Sequence, residues 1–293
     1  MNLILTVAEI VAPAFLLAGV GFVWVRLGNE YRIRFVTQLS MTLAVPCLIF
    51  TALMTTEITP SALSALSLAA IASYAVITIA FWGLIGFLRL DRRTYLAPLI
   101  FGNTGNLGLP LALFAFGETG LGFAIVIFAI TAVLSFTFGV WLVSGGGSIA
   151  VVVKEPIVAA TLLGALFLWQ GWETPQFLTN ALDLIGQMAI PLMLITLGVA
   201  IARLTPGHLG QAVWLSLLKA AVCVSIAAAV GLWFGLEPVA FAVLVLQVGT
   251  PVAVTSYLLA EKYGADADAV AGLVVVSTLL SVVLLPLILA FVL

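Results

Sequence analysis

The stretch LIFGNTGNLGLPLALFAFGETG, from Leu99 to Gly120, interrupts one of the long apolar runs of this sequence. Nine of its residues, 102–110, include three glycines, two asparagines, a threonine and a proline. Asparagine is costly in hydrocarbon, glycine weakens a helix, and proline removes a backbone donor. An apolar helix with this composition is expected to break at mid-depth in a membrane.

The composition of the whole chain predicts an all-α membrane protein. Of its 293 residues, 64% are hydrophobic and 8% are charged, and the mean hydropathy is +1.31. These values are typical of polytopic membrane proteins. No basic stripe for nucleic acid is present. The two cysteines, Cys47 and Cys223, have no disulfide or metal-ligand spacing, so we expect no metal and no cofactor.

Ten segments are long and apolar enough to be spanning helices, which need about 20 residues each. The predicted segments are 3–26, 35–54, 61–88, 94–116, 120–143, 149–170, 177–201, 209–234, 238–260 and 267–292. The connections between them are short, so no soluble domain is expected.

The basic residues predict the orientation of the chain. Of ten Lys and Arg residues, nine lie at or beside the odd-numbered connections. They are Arg26, Arg32, Arg34, Arg89, Arg92, Arg93, Lys154, Arg203 and Lys262. The even-numbered connections carry only acids, such as Glu57, Glu118, Glu173 and Glu237. The positive-inside rule then places the odd connections in the cytoplasm. We expect a multi-pass inner-membrane protein with both termini on the periplasmic side.

Five short matches recur in the same order in the two halves, at offsets of about 141–147 residues. They pair Pro13 with Pro156, Gly21 with Gly164, Pro46 with Pro191, Pro110 with Pro251, and 131–135 with 277–281. Because each half has five spans, the second half enters the membrane from the opposite side. We therefore predict two inverted repeats, 1–143 and 149–293, joined by a flexible linker over 144–148.

The fourth and ninth segments hold NLGLP and QVGTP at equivalent positions in the two repeats. Interrupted helices at matching positions indicate the binding site of a transporter, and half-helix N-termini suit an anion. We predict that the two segments cross near the midplane, with breaks at Asn103–Pro110 and Gln247–Pro251. The alternative is an ordinary proline kink with Asn as an interhelical contact.

At these residues the sequence resembles the bacterial auxin efflux carrier family of permeases, which is related to the plant auxin carriers. The resemblance is carried by GNTGNLGLPLALFAFG, from Gly102, and by QVGTPVAVTSYLLAEKYGADADAVAGLVVVSTLLSVVLLP, from Gln247. It also includes the segments around Pro46 and Pro191. Two departures stand out: a long hydrophilic central loop is replaced by the short linker, and Thr255 stands where many relatives have Asn.

The resemblance implies a ten-helix fold shared with bile-acid sodium symporters and sodium/proton antiporters. It implies a scaffold of helices 1, 2, 6 and 7, and a mobile core of helices 3–5 and 8–10 that works by elevator-type alternating access. The crossover prolines would be Pro110 and Pro251. Family members are described as exporters or permeases of small carboxylates such as malonate or malate, or of auxin-like acids. A homodimer through the scaffold helices is a further expectation.

We therefore expect a secondary active transporter of a small organic anion that binds at the crossover. The predicted substrate-binding residues are Asn103, Thr104, Gly105, Asn106, Gln187, Lys219, Gln247, Gly249, Thr250 and Thr255. The absence of acidic residues beside the crossover argues against bare cation exchange, although Na⁺ or H⁺ stays open as a coupling ion. A sodium-coupled symporter of a larger organic anion and a channel are the alternatives.

Lys219 belongs to no connection, because it lies about 15 Å into the eighth helix. Its helical stripe is small or weakly polar, with Ala212, Ser216, Cys223 and Ala227, which indicates a face packed on other helices. One hypothesis is that Lys219 balances the anionic substrate or replaces a coupling cation. The other is that it links structurally to backbone carbonyls of the crossover.

The remaining polar residues have simpler interpretations. Glu9 and Asp183 lie near the outer interface, and Glu118 and Glu261 follow the crossover segments as loop charges. The only histidine, His208, lies in a connection. No deep Ser/His pair, no pair of deep aspartates and no HExxH motif is present, so we expect no enzyme activity.

Overall fold

The computed structural model of the chain describes residues 3–55, 58–145, 156–204 and 207–292, and these are helical throughout apart from short connections. The helices are α1 (Leu3–Arg26), α2 (Ile33–Leu39), α3 (Val45–Met54), α4 (Pro60–Phe87), α5 (Arg92–Ile100), α6 (Leu109–Leu134), α7 (Val140–Ser144), α8 (Pro156–Gln170), α9 (Gln176–Gln187), α10 (Ala189–Arg203), α11 (Leu209–Trp233), α12 (Pro238–Val248), α13 (Val254–Tyr263) and α14 (Ala267–Val292). Glu57, Lys154 and most of the predicted linker over 144–148 lie outside the described residues.

Seven helical stretches within the described residues are long and apolar enough to cross a membrane. They are Val7–Arg26, Ile33–Met54, Ser61–Phe87, Thr104–Ser144, Gln176–Arg203, Leu209–Trp233 and Ala267–Val292. The expected all-α polytopic membrane protein is therefore confirmed, while the count of ten spans stays a prediction. Thr104–Ser144 contains the second part of the fourth predicted span and the whole of the fifth. Gly117 divides it at a non-helical turn with φ of 63°. That turn lies in the predicted connection over 117–119.

Prolines shape the second and seventh predicted spans. Pro46 lies at the start of α3, and a π-helical turn, Ser40–Ala44, separates α3 from α2. Pro191 lies in the first turn of α10, directly after an interruption at Met188 that separates α10 from α9. Proline has no N–H to donate to the preceding turn, so the helix loosens there. The sequence had predicted each of these spans as one continuous helix.

Glycines bring α1 and α10 into backbone contact. A Cβ on Gly198 would overlap the carbonyl of Ala18, and a Cβ on Gly21 would overlap the carbonyl of Ile195. Small residues allow such close helix packing in membranes, where dispersion contacts replace the hydrophobic effect. α3 packs in turn on α8 and α9.

α11 lies at the centre of a second group of helices and packs on α4, α12 and α14. Its buried face comprises Ala212, Ser216, Lys219, Cys223 and Ala227, which form the stripe identified in the sequence. Lys219 thus faces protein. This helix forms the wall behind the two interrupted segments.

Candidate functional site

The two interrupted segments meet in the interior of the protein. α5 ends at Ile100, and a π-helical turn, Thr104–Gly108, begins after a non-helical stretch over 101–103. α12 ends at Val248, and α13 begins at Val254. Gly102 and Val252 form an antiparallel bridge, and the Asn103 N–H donates to the Pro251 carbonyl over 2.7 Å. We call this pair of hydrogen-bonded breaks the crossing.

Each break is shifted by a few residues from its predicted position. The first begins at Phe101, ahead of the predicted Asn103, because Asn103 caps the turn that follows: its Oδ1 accepts from the Asn106 N–H over 3.2 Å. A capping residue has non-helical backbone angles, and those of Asn103 are φ −80° and ψ 56°, so the helix ends before it. The second break extends to Ala253, two residues beyond the predicted Pro251.

Glycines make room for polar side chains at the crossing. A Cβ on Gly102 would overlap Oγ1 of Thr250, and a Cβ on Gly108 would overlap the side-chain amide of Gln247. The amide of Gln247 on α12 therefore lies directly against the turn that follows the first break. Thr250 Oγ1 donates to the Gln247 carbonyl over 2.6 Å and so holds the second break together.

Two side-chain amides at the crossing have buried atoms without hydrogen-bond partners among the described residues. Gln247 is 0% exposed, and both its Nε2 and its Oε1 are unpartnered. Asn103 is 4% exposed, and its Nδ2 is unpartnered. Buried polar atoms are nearly always hydrogen-bonded in native proteins, and leaving one unpaired costs about 1–3 kcal/mol. These atoms therefore provide two donors and one acceptor for a ligand.

Lys219 and Cys223 of α11 link the two breaks from behind. Lys219 is 2% exposed, and its Nζ donates to the Thr250 carbonyl over 3.1 Å. The Cys223 thiol lies 3.8 Å from the Leu99 carbonyl in the last turn before the first break, and 4.0 Å from Lys219 Nζ. Within the described residues Lys219 forms no ion pair with a carboxylate. A buried charge without a counter-ion is unfavourable and attracts an anion.

The other predicted site residues surround this centre at different depths. Thr104 and Gly105 are buried in the π-helical turn, and a Cβ on Gly105 would meet the Phe128 ring and the Met193 methyl. Asn106 is half-buried in the same turn, and Thr255 is half-buried at the start of α13. Gly249 packs between Ile288 and Val224. The prolines Pro110 and Pro251 are both buried.

Gln187 lies apart from the crossing. It lines a cavity of about 1000 Å³, together with residues of α3, α4, α6, α9 and α10. Asp183, Glu118 and Glu237 line the same cavity, and Leu113, three residues after Pro110, forms part of its wall. The sequence alone predicts these acids to be separate charges at the interface or in loops. The fold gathers them around one space.

Ser277 is a residue at the crossing that sequence reasoning had not placed in the site. Its Oγ accepts from the Val252 N–H over 3.0 Å and so fixes the second break to α14. The repeat alignment contained Ser277 in STLLS, but nothing in that match pointed to a contact with Val252. The residue aligned with it in the predicted first repeat, Thr131, lies 2.8 Å from the Tyr74 hydroxyl instead.

Known proteins resemble this chain along its length. Residues 148–289 match the family model described as "Membrane transport protein". An "Uncharacterized transporter" of Methanothermobacter thermautotrophicus is 28% identical over 95% of the chain and 96% of its own length. A "Putative malonate transporter" of Rhizobium meliloti is 26% identical over 62% of the chain, which spans 61% of that protein.

Proposed function

We propose that this chain, which belongs to the auxin efflux carrier family of membrane transport proteins, is a secondary active transporter of a small organic anion. The observation that carries the proposal is the crossing, where two interrupted helices are hydrogen-bonded to each other and leave buried amide groups unpaired. Irregular backbone at membrane depth is typical of transporter binding sites.

The charges and donors at the crossing favour an anion. The unpartnered Nδ2 of Asn103 and Nε2 of Gln247 are donors, and Lys219 contributes a cation without a carboxylate partner among the described residues. The first N–H groups of the turn after Asn103 also lack a preceding helical carbonyl, because the chain before them is non-helical. These are all groups of the kind from which a carboxylate accepts hydrogen bonds. The name of the Rhizobium relative supports a small carboxylate as the substrate class.

Lys219 also bears on the coupling ion. A backbone carbonyl that has lost its helical hydrogen bond at a break can coordinate Na⁺. Here the Thr250 carbonyl already accepts a hydrogen bond from the Lys219 ammonium. This contact favours a fixed positive charge over a bound sodium ion at that position. It therefore supports the small-anion transporter over the sodium-coupled symporter of a larger anion.

Transport itself is tested with purified protein in proteoliposomes. A panel of small carboxylates is offered under imposed Na⁺ or proton gradients, and uptake and counterflow are measured. We expect saturable uptake and counterflow of at least one small carboxylate, because a carrier binds its substrate before moving it. Flux without saturation or counterflow would indicate a channel. Strict dependence on Na⁺ would support the symporter alternative.

The position of the substrate site is tested by Asn106→Ala and Gln247→Ala. A hydrogen bond to a charged group contributes about 1.5–3 kcal/mol, so each variant should lose about tenfold to hundredfold in apparent affinity while still inserting in the membrane. Gln170→Ala, at the exposed end of α8, is the matched control. Unchanged uptake kinetics in both crossing variants would remove the site from this position.

The role of Lys219 is tested by Lys219→Met, with the exposed Lys262→Met as its control. If Lys219 carries charge during transport, the variant should insert normally but lose transport. If Lys219 only links α11 to the Thr250 carbonyl, the variant should have a lower thermal stability and ordinary kinetics. The second result would exclude Lys219 from the mechanism.

A further inference from the structure

The crossing provides one positive charge for its ligand, and this limits the charge of the anion. Lys219 Nζ, which contacts the Thr250 carbonyl, is the cation, and the Asn103 and Gln247 side chains at the same crossing are neutral amides. With a monoanion bound, the crossing is electrically neutral overall. With a dianion bound, one negative charge stays uncompensated in a buried place, which is strongly unfavourable.

Gln247 adds a requirement for a hydrogen-bond donor on the ligand. Its Nε2 can donate to a carboxylate, but its Oε1 is also buried and unpartnered among the described residues. A carboxylate has no proton to offer to that oxygen. A ligand that also carries one O–H group satisfies both ends of the amide, whereas a fully ionised dicarboxylate without a hydroxyl leaves the oxygen unpaired.

We take the cavity of about 1000 Å³ as the approach to the crossing, because Leu113, three residues after Pro110, lies in its wall. Its charges then discriminate in the same direction. Asp183, Glu118 and Glu237 line it, and no Lys, Arg or His is found among the described residues of its wall. The Coulomb repulsion between these carboxylates and an entering anion is twice as large for a dianion as for a monoanion. The cavity therefore favours the less charged form.

We infer that the transported species is the monoanion of a small organic acid that carries one O–H group. A dicarboxylate with one carboxyl protonated fits this description, as does a hydroxymonocarboxylate, whereas a dicarboxylate dianion does not. The inference rests on the proposed function, because it names the substrate of the same site. A proton that enters with a dicarboxylate is then carried on the substrate itself.

Titratable groups of the protein would produce a different pH dependence. Around the crossing these are Lys219 and Cys223 on α11 and Tyr74 on α4, and around the cavity Asp183, Glu118 and Glu237. A change in protonation of any of them affects every substrate. Protonation of the substrate affects only a substrate whose own charge changes. Two substrates with different titration behaviour therefore separate the two causes.

The experiment compares malonate with a small 2-hydroxymonocarboxylate in proteoliposomes at a clamped membrane potential. At pH values above the second pKa of malonate, the fraction of malonate present as the monoanion falls about tenfold per pH unit. We expect the KM for total malonate to rise about tenfold per pH unit there, while the KM for the hydroxymonocarboxylate stays constant. A malonate KM that is constant or falls with pH would overturn the inference. An equal pH dependence for both substrates would also overturn it, since the proton would then bind to the protein.

Gln247→Met tests the donor requirement, with Gln170→Met as the matched control. The wild type should bind the hydroxymonocarboxylate about tenfold more tightly than the plain monocarboxylate of the same length, measured by competition against labelled substrate. We expect this preference to disappear in Gln247→Met and to persist in the control. A preference that survives the loss of the amide would contradict the role given to Gln247. Failure to transport any organic anion would instead refute the proposed function.

Discussion

Gly102 and Gly108 are needed at the crossing because of the side chains that contact them. The sequence shows them only as residues that weaken a helix. In the structure a polar group lies directly against each glycine. Thr250 Oγ1 lies against Gly102, and the Gln247 side-chain amide lies against Gly108. These partners are more than a hundred positions away in the chain, so a local pattern could not reveal them.

Gly108→Ala should disturb the site without unfolding the protein. The new methyl group overlaps the end of the flexible Gln247 side chain, which can rotate away at small cost. We expect apparent substrate affinity to fall about tenfold, with little change in thermal stability. In the variant Gly108→Ala/Gln247→Ala the two losses should not add, because both act through the same amide.

Gly19→Ala is the matched control for Gly108→Ala, since a Cβ on Gly19 meets no described atom within 4 Å. It should leave both uptake and stability close to those of the wild type. Full additivity in the double variant would show that Gly108 acts independently of Gln247.

At the scale of helices, the sequence predicted the interruptions that depend on local chemistry. The Gly, Asn and Pro residues of NLGLP and QVGTP predict both breaks of the crossing. The interruption at Met188 and the π-helical turn before α3 were missed, although Pro191 and Pro46 lie directly after them. A proline inside an apolar run can kink a helix or break it, and packing decides between these outcomes.

Arg93 on α5 joins that helix to α7 and α13. Its Nε donates to the Val143 carbonyl over 3.1 Å, and its Nη2 donates to the Tyr263 carbonyl over 3.0 Å. Both carbonyls lie in the last turns of helices, where a guanidinium satisfies free acceptors and the helix dipole favours a cation. Arg93→Met should lower the free energy of unfolding by about 1–2 kcal/mol, because both bonds are partly solvated. Thermal denaturation in detergent measures the loss.

Arg93→Lys keeps the charge but can make only part of this geometry, so its stability should be intermediate. Arg34→Met, an exposed residue on α2, is the control and should melt like the wild type. Equal stability of Arg93→Met and the control would mean that the two hydrogen bonds contribute nothing measurable.

At the scale of the whole molecule, the fold brings together charges that the sequence keeps apart. Asp183 lies on α9, Glu118 on α6 and Glu237 just before α12, and all three line the cavity of about 1000 Å³. The sequence predicted that these acids lie near the outer membrane surface, but it could not show that they share one space. That depends on how the two groups of helices pack.

These three carboxylates should weaken the binding of anions that enter from the cavity side. At about 10 Å in a water-filled space each contributes about 0.4–0.8 kcal/mol of repulsion. At low ionic strength the variant Asp183→Asn/Glu118→Gln/Glu237→Gln should therefore lower the KM from that side about sevenfold to fiftyfold, and leave the KM from the opposite side unchanged. Added salt should reduce the difference in KM between the variant and the wild type, because physiological salt screens charges over about 8–10 Å. Glu261→Gln, outside the cavity wall, is the control and should show neither effect. A change of equal size on both sides would mean that the acids act on the crossing itself, and not on the approach to it.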